Sequence, residues 1–405
     1  MPSNASPDAP HDVAGTPFRL AVHDSIEAAE TPWRALERTG VLTPYQRYDW
    51  ITALRAGRKR HRDRCAVAVV HDAAGPAALL PLAIGRRFGL RVAAIIGSDV
   101  ANADWLIVRQ DAAPHFTAAV LARLVAAIGQ EAGGFDVLVL ANLPPSWQGL
   151  ANPLLAIPHQ PAPDPLYLAP VSPAGETGRL SARQRRNILR GKRRLEETVG
   201  PVTLRRADGA GEIAAVHAAF LAQRAARFTQ MGVPNVFAED WCVAFFRNAA
   251  ATAPGSERPA MRLHALWAGD SILATSCGTC AGPHYSQYIN STASGPAARY
   301  SLIGILMHEL LPELAAAGIT SIDMGLGDFP YKADWTDRQD AYDAAIGLTP
   351  AGRLAGAAIM GLRALKRRIK HNPRLFGAFK RVRALAVAAR RPRAGAPEQP
   401  GGEAE

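Results

Sequence analysis

The sequence predicts an α/β (α+β) protein built from two tandem units, each a mixed twisted sheet flanked by helices. A length of 405 residues exceeds what one ordinary hydrophobic core organises. Strand and helix patterns alternate along the chain, and the order hairpin, strand, long helix and buried strand occurs in both halves. A repeated order of elements with little sequence identity between the halves is typical of a duplicated unit.

The first half contains the first copy of this order. Alternating apolar residues flank the turn sequence DAAGP, which indicates a hairpin, and the apolar run FDVLVL indicates a buried strand. The predicted elements are strand 18–22, helices 28–39 and 48–56, hairpin strands 65–71 and 77–84, helix 113–132 and strand 135–140. Residues 143–178 contain many prolines, and we expect them to be a linker.

The second half repeats the order around the turn residues Gly269 and Asp270. Its predicted elements are strand 202–205, helix 214–228, hairpin strands 262–268 and 271–279, strand 284–290, helix 299–317 and strand 319–324. The predicted divisions of the chain are a disordered leader at 1–16, an N-terminal unit at 17–170, a C-terminal unit at 171–350, a basic amphipathic tail at 351–393 and a disordered tail at 394–405.

The formal net charge of +11 is concentrated in one segment. Residues 351–393 contain thirteen Lys or Arg and no Asp or Glu, so the rest of the chain is nearly neutral. A nucleic acid partner is therefore not expected. A protein that binds nucleic acid carries its positive charge on the folded face that contacts phosphate, whereas here the excess lies in one terminal segment. Apolar residues recur along the same segment, which could lie on anionic lipid, pack on the body or bind another polyanion. They are Leu354, Ile359, Leu362, Leu365 and Ile369.

Localisation and metal binding can be addressed from cysteines, histidines and apolar runs. Four cysteines are too few for a disulfide framework, and neither a signal peptide nor a membrane-spanning run is found. Cys277 and Cys280 have no second cysteine pair, and the histidines show no ligand spacing, so we predict no metal. We expect a cytoplasmic protein with peripheral contact at the inner membrane face through 351–393.

The stretch DMGLGDFPYKADW at 323–335 has the residue types of a proton-transfer site. Asp323 ends an apolar strand, where an ionised carboxylate needs a partner or its pKa rises. The alternative is that Asp323 only accepts backbone hydrogen bonds in a turn.

Two further segments have residues suited to binding an anion. The helix predicted to start near Arg299 exposes unpaired N–H groups, and Ser301 and Gly304 add a hydroxyl and room for close approach. Alternatively, this is an ordinary helix start. Residues 179–195 form a predicted basic helix with Ser181 and Gln184 at capping-box spacing. That helix either grips a phosphate or presents a solvated face.

These segments resemble the GNAT acyltransferase superfamily, and within it the CelD/BcsL-type group of cellulose and exopolysaccharide biosynthesis. The pattern D-x-G-x-G-D-x-x-Y-K is the most specific part, and the resemblance covers roughly residues 18–350. Three other stretches agree with it: TPYQRYDWITAL at 43–54, LSARQRRNILRGKRRL at 180–195 and RFTQMGVPNVF at 227–237. One departure is Ser301-Leu302-Ile303-Gly304, where the family usually has a Pro-Gly pair before the long helix.

The resemblance implies two tandem GNAT-like units, with acetyl-CoA or another acyl-CoA as co-substrate. The pantetheine arm would lie between two splayed strands, 284–290 and 319–324, with the pyrophosphate on the following helix N-terminus. The implied cofactor contacts are Arg299, Tyr300, Ser301 and Gly304, and the candidate substrate contacts are Arg186, Arg227 and Gln287. The first unit has ANLPPSW where the second has GLGDFPYK, and we expect it to be degenerate and to shape the acceptor pocket.

The implied reaction is direct attack of an amine or hydroxyl on the thioester. Asp323 or Asp328 would act as base and Tyr331 as acid. Lys332 would pair with Asp323, hold a substrate phosphate or polarise the carbonyl. The implied acceptor is a small-molecule or lipid-linked sugar of the cell envelope or an exopolysaccharide. Two alternatives are a Fem-like ligase that uses aminoacyl-tRNA and a non-catalytic scaffold of a polysaccharide synthase.

Overall fold

The computed structural model describes residues 9–58, 63–252, 256, 258–375 and 377. The helices are α1 (Glu30–Thr39), α2 (Tyr48–Gly57), α3 (Ala118–Glu131), α4 (Ala182–Val199), α5 (Ala210–Met231), α6 (Asp240–Ala250), α7 (Leu302–Ala316) and α8 (Pro350–His371). The strands are β1 (His11–Asp12), β2 (Arg19–His23), β3 (Gly40–Val41), β4 (Arg64–Asp72), β5 (Gly75–Arg87), β6 (Leu90–Ile95), β7 (Ile107–Arg109), β8 (Val137–Leu143), β9 (Ser146–Trp147), β10 (Leu150–Ala151), β11 (His159–Pro161), β12 (Leu166–Pro170), β13 (Val202–Arg206), β14 (Arg262–Ala268), β15 (Ser271–Ala281), β16 (His284–Thr292), β17 (Ser321–Asp323), β18 (Asp337–Gln339) and β19 (Tyr342–Gly347).

Two sheets share one topology, which confirms the predicted fold class of two similar units. The first has the strand order β2-β4-β5-β6-β8-β19-β11, with β1 paired to β2 at its edge, and the second has β13-β14-β15-β16-β17-β12-β18. Each contains one parallel pair, β6 with β8 and β16 with β17, among antiparallel neighbours. A helix connects the two parallel strands in each unit, because such strands cannot be joined by a tight turn.

The sixth strand of each sheet comes from the sequence segment assigned to the other unit. Strand β12 lies before the second unit in sequence and pairs with β17, Leu168 opposite Asp323. Strand β19 follows the second unit and pairs with β8 of the first. The sheets therefore do not follow the boundaries at residues 170 and 350 that the sequence indicated.

The interpretation of 143–178 as a linker is wrong, because this segment contains β9 to β12 and a short 3₁₀ turn at Pro153–Ala156. Two of its prolines, Pro161 and Pro170, are the last residues of β11 and β12. Proline is tolerated at strand ends, so the high proline content concealed short strands.

The leader prediction is wrong for residues 9–16 and lies outside the described residues for 1–8. His11 and Asp12 pair with Leu20 and Arg19, and Val13 is buried. The hydroxyl of Thr16 donates to the Val13 carbonyl oxygen at 2.8 Å. Backbone pairing orders this segment although its composition is polar.

Several predicted elements have other bounds in the structure, among them two helices and the last strand. Helix 113–132 divides into a 3₁₀ turn and α3, because the Thr117 hydroxyl accepts from Val120 N and starts a new helix. Helix 299–317 begins at Leu302, after a 3₁₀ turn at Pro296–Arg299. The last strand shortens to β17. The capping box of α4 is confirmed, since Ser181 and Gln184 each accept from the other's backbone N–H.

A shared core joins the two units. Helices α1 and α2 of the first unit pack with α5 and α6 of the second in one cluster of buried residues. The Trp50 ring lies 4.9 Å from the Phe245 ring and 5.1 Å from the Tyr288 ring, measured between centroids. The TPYQRYDW stretch lies in this contact region between the two units, which we call the seam. Within it, Arg47 donates to the Cys280 carbonyl oxygen at 3.4 Å.

Residues 350–371 of the basic tail form α8, which packs on the first sheet. The Arg363 guanidinium pairs with the fully buried Asp343, and Lys370 pairs with Asp164 at 2.6 Å. Carboxylates of the body therefore offset part of the positive charge of this segment. Residues 378–405 lie outside the described residues. In the helices the structure describes, no segment is long and apolar enough to cross a bilayer.

Candidate active site

Strands β16 and β17 pair over three residues and then separate. The ladder runs from His284 opposite Ser321 to Ser286 opposite Asp323, where β17 ends. Strand β16 continues to Thr292, and its register against β15 shifts between Gly278 and Cys277, the irregularity of a β-bulge. In the described structure, no strand pairs with the β17-facing edge of β16 beyond this ladder. Beyond the ladder, β16 thus has an unpaired edge at the place where the resemblance implied a gap between the strands.

Asp323 lies at the point of separation and is fully buried. Its Oδ2 accepts from His284 Nε2 at 2.9 Å and from the Ser286 hydroxyl. Its Oδ1 accepts from Gly325 N at 2.8 Å, so the turn contact and the buried side-chain partners both exist. Three donors satisfy the carboxylate, which therefore ties β16, β17 and the following turn together.

The first unit reaches this cluster from the other side of the seam. Asn102 donates to Tyr45 Oη at 2.7 Å and accepts from Leu326 N at 3.4 Å. The Trp147 ring lies 4.3 Å from the His284 ring, between centroids. Burial, together with the Asp323 charge, raises the pKa of Tyr45 well above its ordinary value, so this phenol stays neutral.

Lys332 is buried beside the same turn, but it does not pair with Asp323. Its Nζ donates to the carbonyl oxygens of Leu326 at 2.7 Å and Gly325 at 3.3 Å. Burial lowers its pKa to about 8, against the opposing charges of Asp323, Asp164 and Asp328. Of the three roles predicted for Lys332, the ion pair with Asp323 is therefore wrong, and the ammonium group instead stabilises the turn.

The other two acid–base candidates, Asp328 and Tyr331, are exposed on the protein surface. Asp328 accepts from the Tyr167 hydroxyl. Tyr331 is 41 % exposed, and its partial burial raises its pKa while the charges of Arg224 and Arg227 oppose this. Tyr331 therefore lies near the candidate substrate contact Arg227, whereas Asp328 is hydrogen-bonded to Tyr167.

Arg224 was not predicted, although it lies three residues before Arg227 on the same face of α5. Its guanidinium points to the end of β16, where Nη1 donates to the Asn290 carbonyl oxygen at 3.5 Å. Gln287 is buried on β16 and donates to the Asn290 side chain at 2.8 Å. The Oε1 atom of Gln287 and the Nε atom of Arg224 are buried and have no hydrogen-bond partner among the described residues, so this edge can bind a further polar group.

The predicted phosphate contacts lie at the start of α7. Ser301 is the N-cap with a φ of +27°, a strained value for a non-glycine residue, and Arg299 is exposed over the Tyr300 ring. Gly304 is buried, and a Cβ there would lie 2.7 Å from the Ser301 hydroxyl oxygen and 3.3 Å from Ile188 of α4. The Ser301 side chain and α4 therefore use the space that Gly304 leaves, and its predicted contact with phosphate stays untested.

Helix α4 carries both paired and unpaired basic residues. Arg185 pairs with Glu176, and Lys192 pairs with Glu309. Five arginines are exposed and have no ion pair among the described residues, at a spacing that places them on one helix face: Arg183, Arg186, Arg190, Arg193 and Arg194. Arg186 does not contact the Asp323 cluster or Tyr331.

The first unit lacks this polar cluster. Aligning the three-residue ladders of the parallel pairs sets Val92, Ala94 and Val139 where the second unit has His284, Ser286 and Asp323.

In the first unit, Asp104 bridges the turn that follows β6 and the strand β8. Its Oδ2 accepts from the Ser98 hydroxyl at 2.7 Å and from Ala141 N at 2.9 Å. Burial raises the pKa of Asp104 to about 7. The position that is open in the second unit is thus occupied by the chain's own carboxyl group in the first.

All four cysteines are free thiols and buried. Across the part of the chain that the structure describes, no group of three or more His, Cys, Asp or Glu side chains could hold a metal ion.

Comparisons with known proteins agree on the fold. The model of the acetyltransferase (GNAT) domain matches residues 182–333. The crystal structure of FemX is similar at 10 % identity, with 79 % of this chain and 96 % of that chain covered and a TM-score of 0.55. A conserved protein of unknown function from Bacteroides thetaiotaomicron is similar at 10 % identity, with 80 % and 99 % covered and a TM-score of 0.50. No curated protein matches the chain in sequence. Residues 182–333 therefore match a GNAT-type acetyltransferase domain, and the chain shares the fold of these two solved structures.

Proposed function

We propose that the second unit transfers an acyl group from acyl-CoA to an amine or hydroxyl. The observation that carries the proposal is the separation of β16 from β17 beyond the Ser286–Asp323 pair, at the carboxyl ends of two parallel strands. Ligands bind at such ends in open α/β sheets, and the GNAT domain match covers this region.

The donor binds along the open edge of β16. Its thioester arm lies against the backbone groups of residues 287–292, which have no strand partner on that side in the described chain. Its phosphates lie at the N-terminus of α7, where the first N–H groups and Arg299 favour negative charge. The unpartnered Oε1 of Gln287 supplies an acceptor for an amide N–H of the arm.

The acceptor attacks the thioester carbon, so a C–N or C–O bond forms as the C–S bond breaks. The acceptor proton passes to Asp328, the exposed carboxylate of the DMGLGDFPYK stretch, and the leaving thiolate takes a proton from Tyr331. Asp323 has no free access to a substrate; it holds the two strands and the Gly325 turn in place and keeps a buried negative charge beside the site. Arg224 and Arg227 keep positive charge beside Tyr331.

The resemblance to the CelD/BcsL-type group extends the proposal to the acceptor. We propose a sugar amine or hydroxyl of an envelope or exopolysaccharide precursor, with Tyr45, Asn102 and Trp147 of the first unit forming one wall of its pocket. These three side chains contact the Asp323 cluster across the seam.

Calorimetric titration of the full chain with acetyl-CoA tests donor binding. We expect a Kd in the micromolar range, which corresponds to a binding free energy on the order of −8 kcal/mol. Arg299→Gln should weaken binding, whereas Arg247→Gln, an exposed arginine on α6, should leave it unchanged. No heat and no thermal shift with several acyl-CoAs would refute the donor assignment.

A second candidate donor is an aminoacyl-tRNA, as in the Fem-like ligases. The observation that favours it is the set of five unpaired arginines on one face of α4, which packs against α7. Such a stripe binds a phosphate backbone with strong salt dependence. Binding of charged tRNA without acyl-CoA binding would select this donor, and binding of neither would select the scaffold alternative.

A further inference from the structure

Helix α8 has one face buried against the first sheet. Gly352 and Gly356 lie on that face, and a Cβ on Gly352 would lie 1.8 Å from the Asp136 carbonyl oxygen. A Cβ on Gly356 would lie 3.3 Å from the Ala345 side chain. The two glycines, one helical turn apart, let the helix axis approach the sheet closely.

The cations on this buried face are neutralised by the body. Arg363 pairs with Asp343, Arg367 lies 3.7 Å from Asp340, and Lys370 pairs with Asp164. The orientation of α8 about its own axis is therefore fixed by ion pairs as well as by packing.

The opposite face of α8 exposes leucines in a continuous stripe. Leu354, Leu362 and Leu365 are 75 %, 67 % and 52 % exposed, and Ala358 and Gly361 lie between them, also exposed. The spacing of i, i+4, i+7, i+8 and i+11 sets all five on one side of the helix. Single exposed leucines are normal, but a contiguous apolar surface marks an interaction site.

Unpaired cations flank the stripe. Lys366 lies on one side of it and Arg368 on the other, both exposed and without an ion pair among the described residues. The sequence continues with six Lys or Arg and no Asp or Glu between residues 378 and 393. The partner of this face must therefore be both apolar and negatively charged.

We propose that this face of α8 docks on the surface of an anionic lipid bilayer, with the helix axis parallel to the membrane plane. Leu354, Leu362 and Leu365 enter the boundary between headgroups and acyl chains, while Lys366 and Arg368 contact anionic headgroups. A nucleic acid offers no apolar layer to the leucines. A second copy would set the same cations against each other across a two-fold interface.

Vesicle co-sedimentation of the full chain tests this proposal. We expect binding to vesicles that contain phosphatidylglycerol as about one third of the lipid, and little binding to phosphatidylcholine alone. The triple variant Leu354→Ser, Leu362→Ser, Leu365→Ser should lower the bound-to-free ratio at least about tenfold. Lys366→Gln and Arg368→Gln should each lower it about fivefold.

Matched controls lie elsewhere on the surface. Met231→Ser with Val236→Ser removes exposed apolar groups from another site, and Arg190→Gln with Arg193→Gln removes unpaired charges from α4. Both double variants should bind like the unchanged chain. Leu354→Ser alone, at the most exposed of the three leucines, gives a second test if the triple variant unfolds.

Three results would overturn the proposal. The first is equal binding to neutral and anionic vesicles, and the second is unchanged binding of the leucine variants at an unchanged melting temperature. The third is a dimer in light scattering that the leucine variants dissociate, which would assign the stripe to a second copy of the chain.

Discussion

At the scale of single residues, Asp323 can be tested without changing its shape. In Asp323→Asn the amide oxygen can keep the bond from Gly325 N, and the amide N–H groups can donate to His284 and Ser286, which accept after a tautomer change and a hydroxyl rotation. The negative charge is lost while the contacts persist. We expect acyl transfer to fall about a hundredfold, the usual cost of removing one preorganised electrostatic group.

The measurement is thiol release from acetyl-CoA with a panel of amino sugars, alongside the melting temperature. Asp270→Asn, in the exposed turn between β14 and β15, is the matched control. Turnover of Asp323→Asn equal to that of the unchanged chain would show that the carboxylate has only a structural role.

Lys332 should make stability depend on pH. Its pKa of about 8 in the folded chain lies below its ordinary value of 10.5, so the folded state binds fewer protons than the unfolded state between these pH values. The free energy of unfolding therefore rises as pH increases from about 8 to about 10.5, by up to about 3 kcal/mol.

In Lys332→Met this contribution is absent. Urea unfolding of both proteins across that pH range should give a stability difference that grows with pH, while tyrosine and cysteine titrations cancel between them. Parallel stability curves would mean that Lys332 keeps an ordinary pKa in the folded chain.

Sequence reasoning found one half of this site. Asp323, Tyr331 and Lys332 stand together in one short motif, so their residue types and spacing were visible. His284 and Asn102 were not, because folding brings His284 to Asp323 from 39 residues away in the chain and Asn102 to Leu326 from 224 residues away.

At the scale of secondary-structure elements, we expect a Gly→Ala change to have opposite effects on stability at two positions of α8. Gly352→Ala adds a Cβ 1.8 Å from a backbone oxygen of Asp136, where neither side can yield easily, and we expect a loss of about 2 kcal/mol of stability or more. Gly361→Ala adds a Cβ with nothing within 4 Å in the middle of a helix. It should gain about 0.5–1 kcal/mol.

Urea unfolding gives the free energy of unfolding of both variants. Each variant is a control for the other, because both place the same Gly→Ala change in the same helix. Loss of stability in Gly361→Ala, or no loss in Gly352→Ala, would contradict the docking of α8 on the first sheet.

Elements with clear periodicity were predictable, and those defined by long-range pairing were not. The hairpin of β14 and β15 and the apolar run of α7 were found because alternation and helical spacing are local signals. Strands β11 and β12 carry prolines, and their pairing partners lie more than 150 residues away, so no local pattern indicates them.

At the scale of the whole molecule, the shared core predicts that both units unfold together. Helix α2 of the first unit and α6 of the second bury the same aromatic cluster, so neither can open without exposing it. We expect one calorimetric transition, with a calorimetric enthalpy equal to the van't Hoff enthalpy. Two resolved transitions would mean that the seam separates before either sheet unfolds.

The reciprocal placement of β12 and β19 has a consequence for cutting the gene in two. A fragment that ends in the connection between the units lacks β19 and leaves β8 with an unpaired edge, and the remaining fragment lacks β12 beside β17 if the cut follows Pro170. Each piece expressed alone would offer an open strand edge and aggregate. Co-expressed, the pieces should complement each other, because each carries the strand that the other needs, and the reconstituted protein should elute as one soluble species. This chain is therefore a natural candidate for a split reporter whose signal depends on strand donation in both directions.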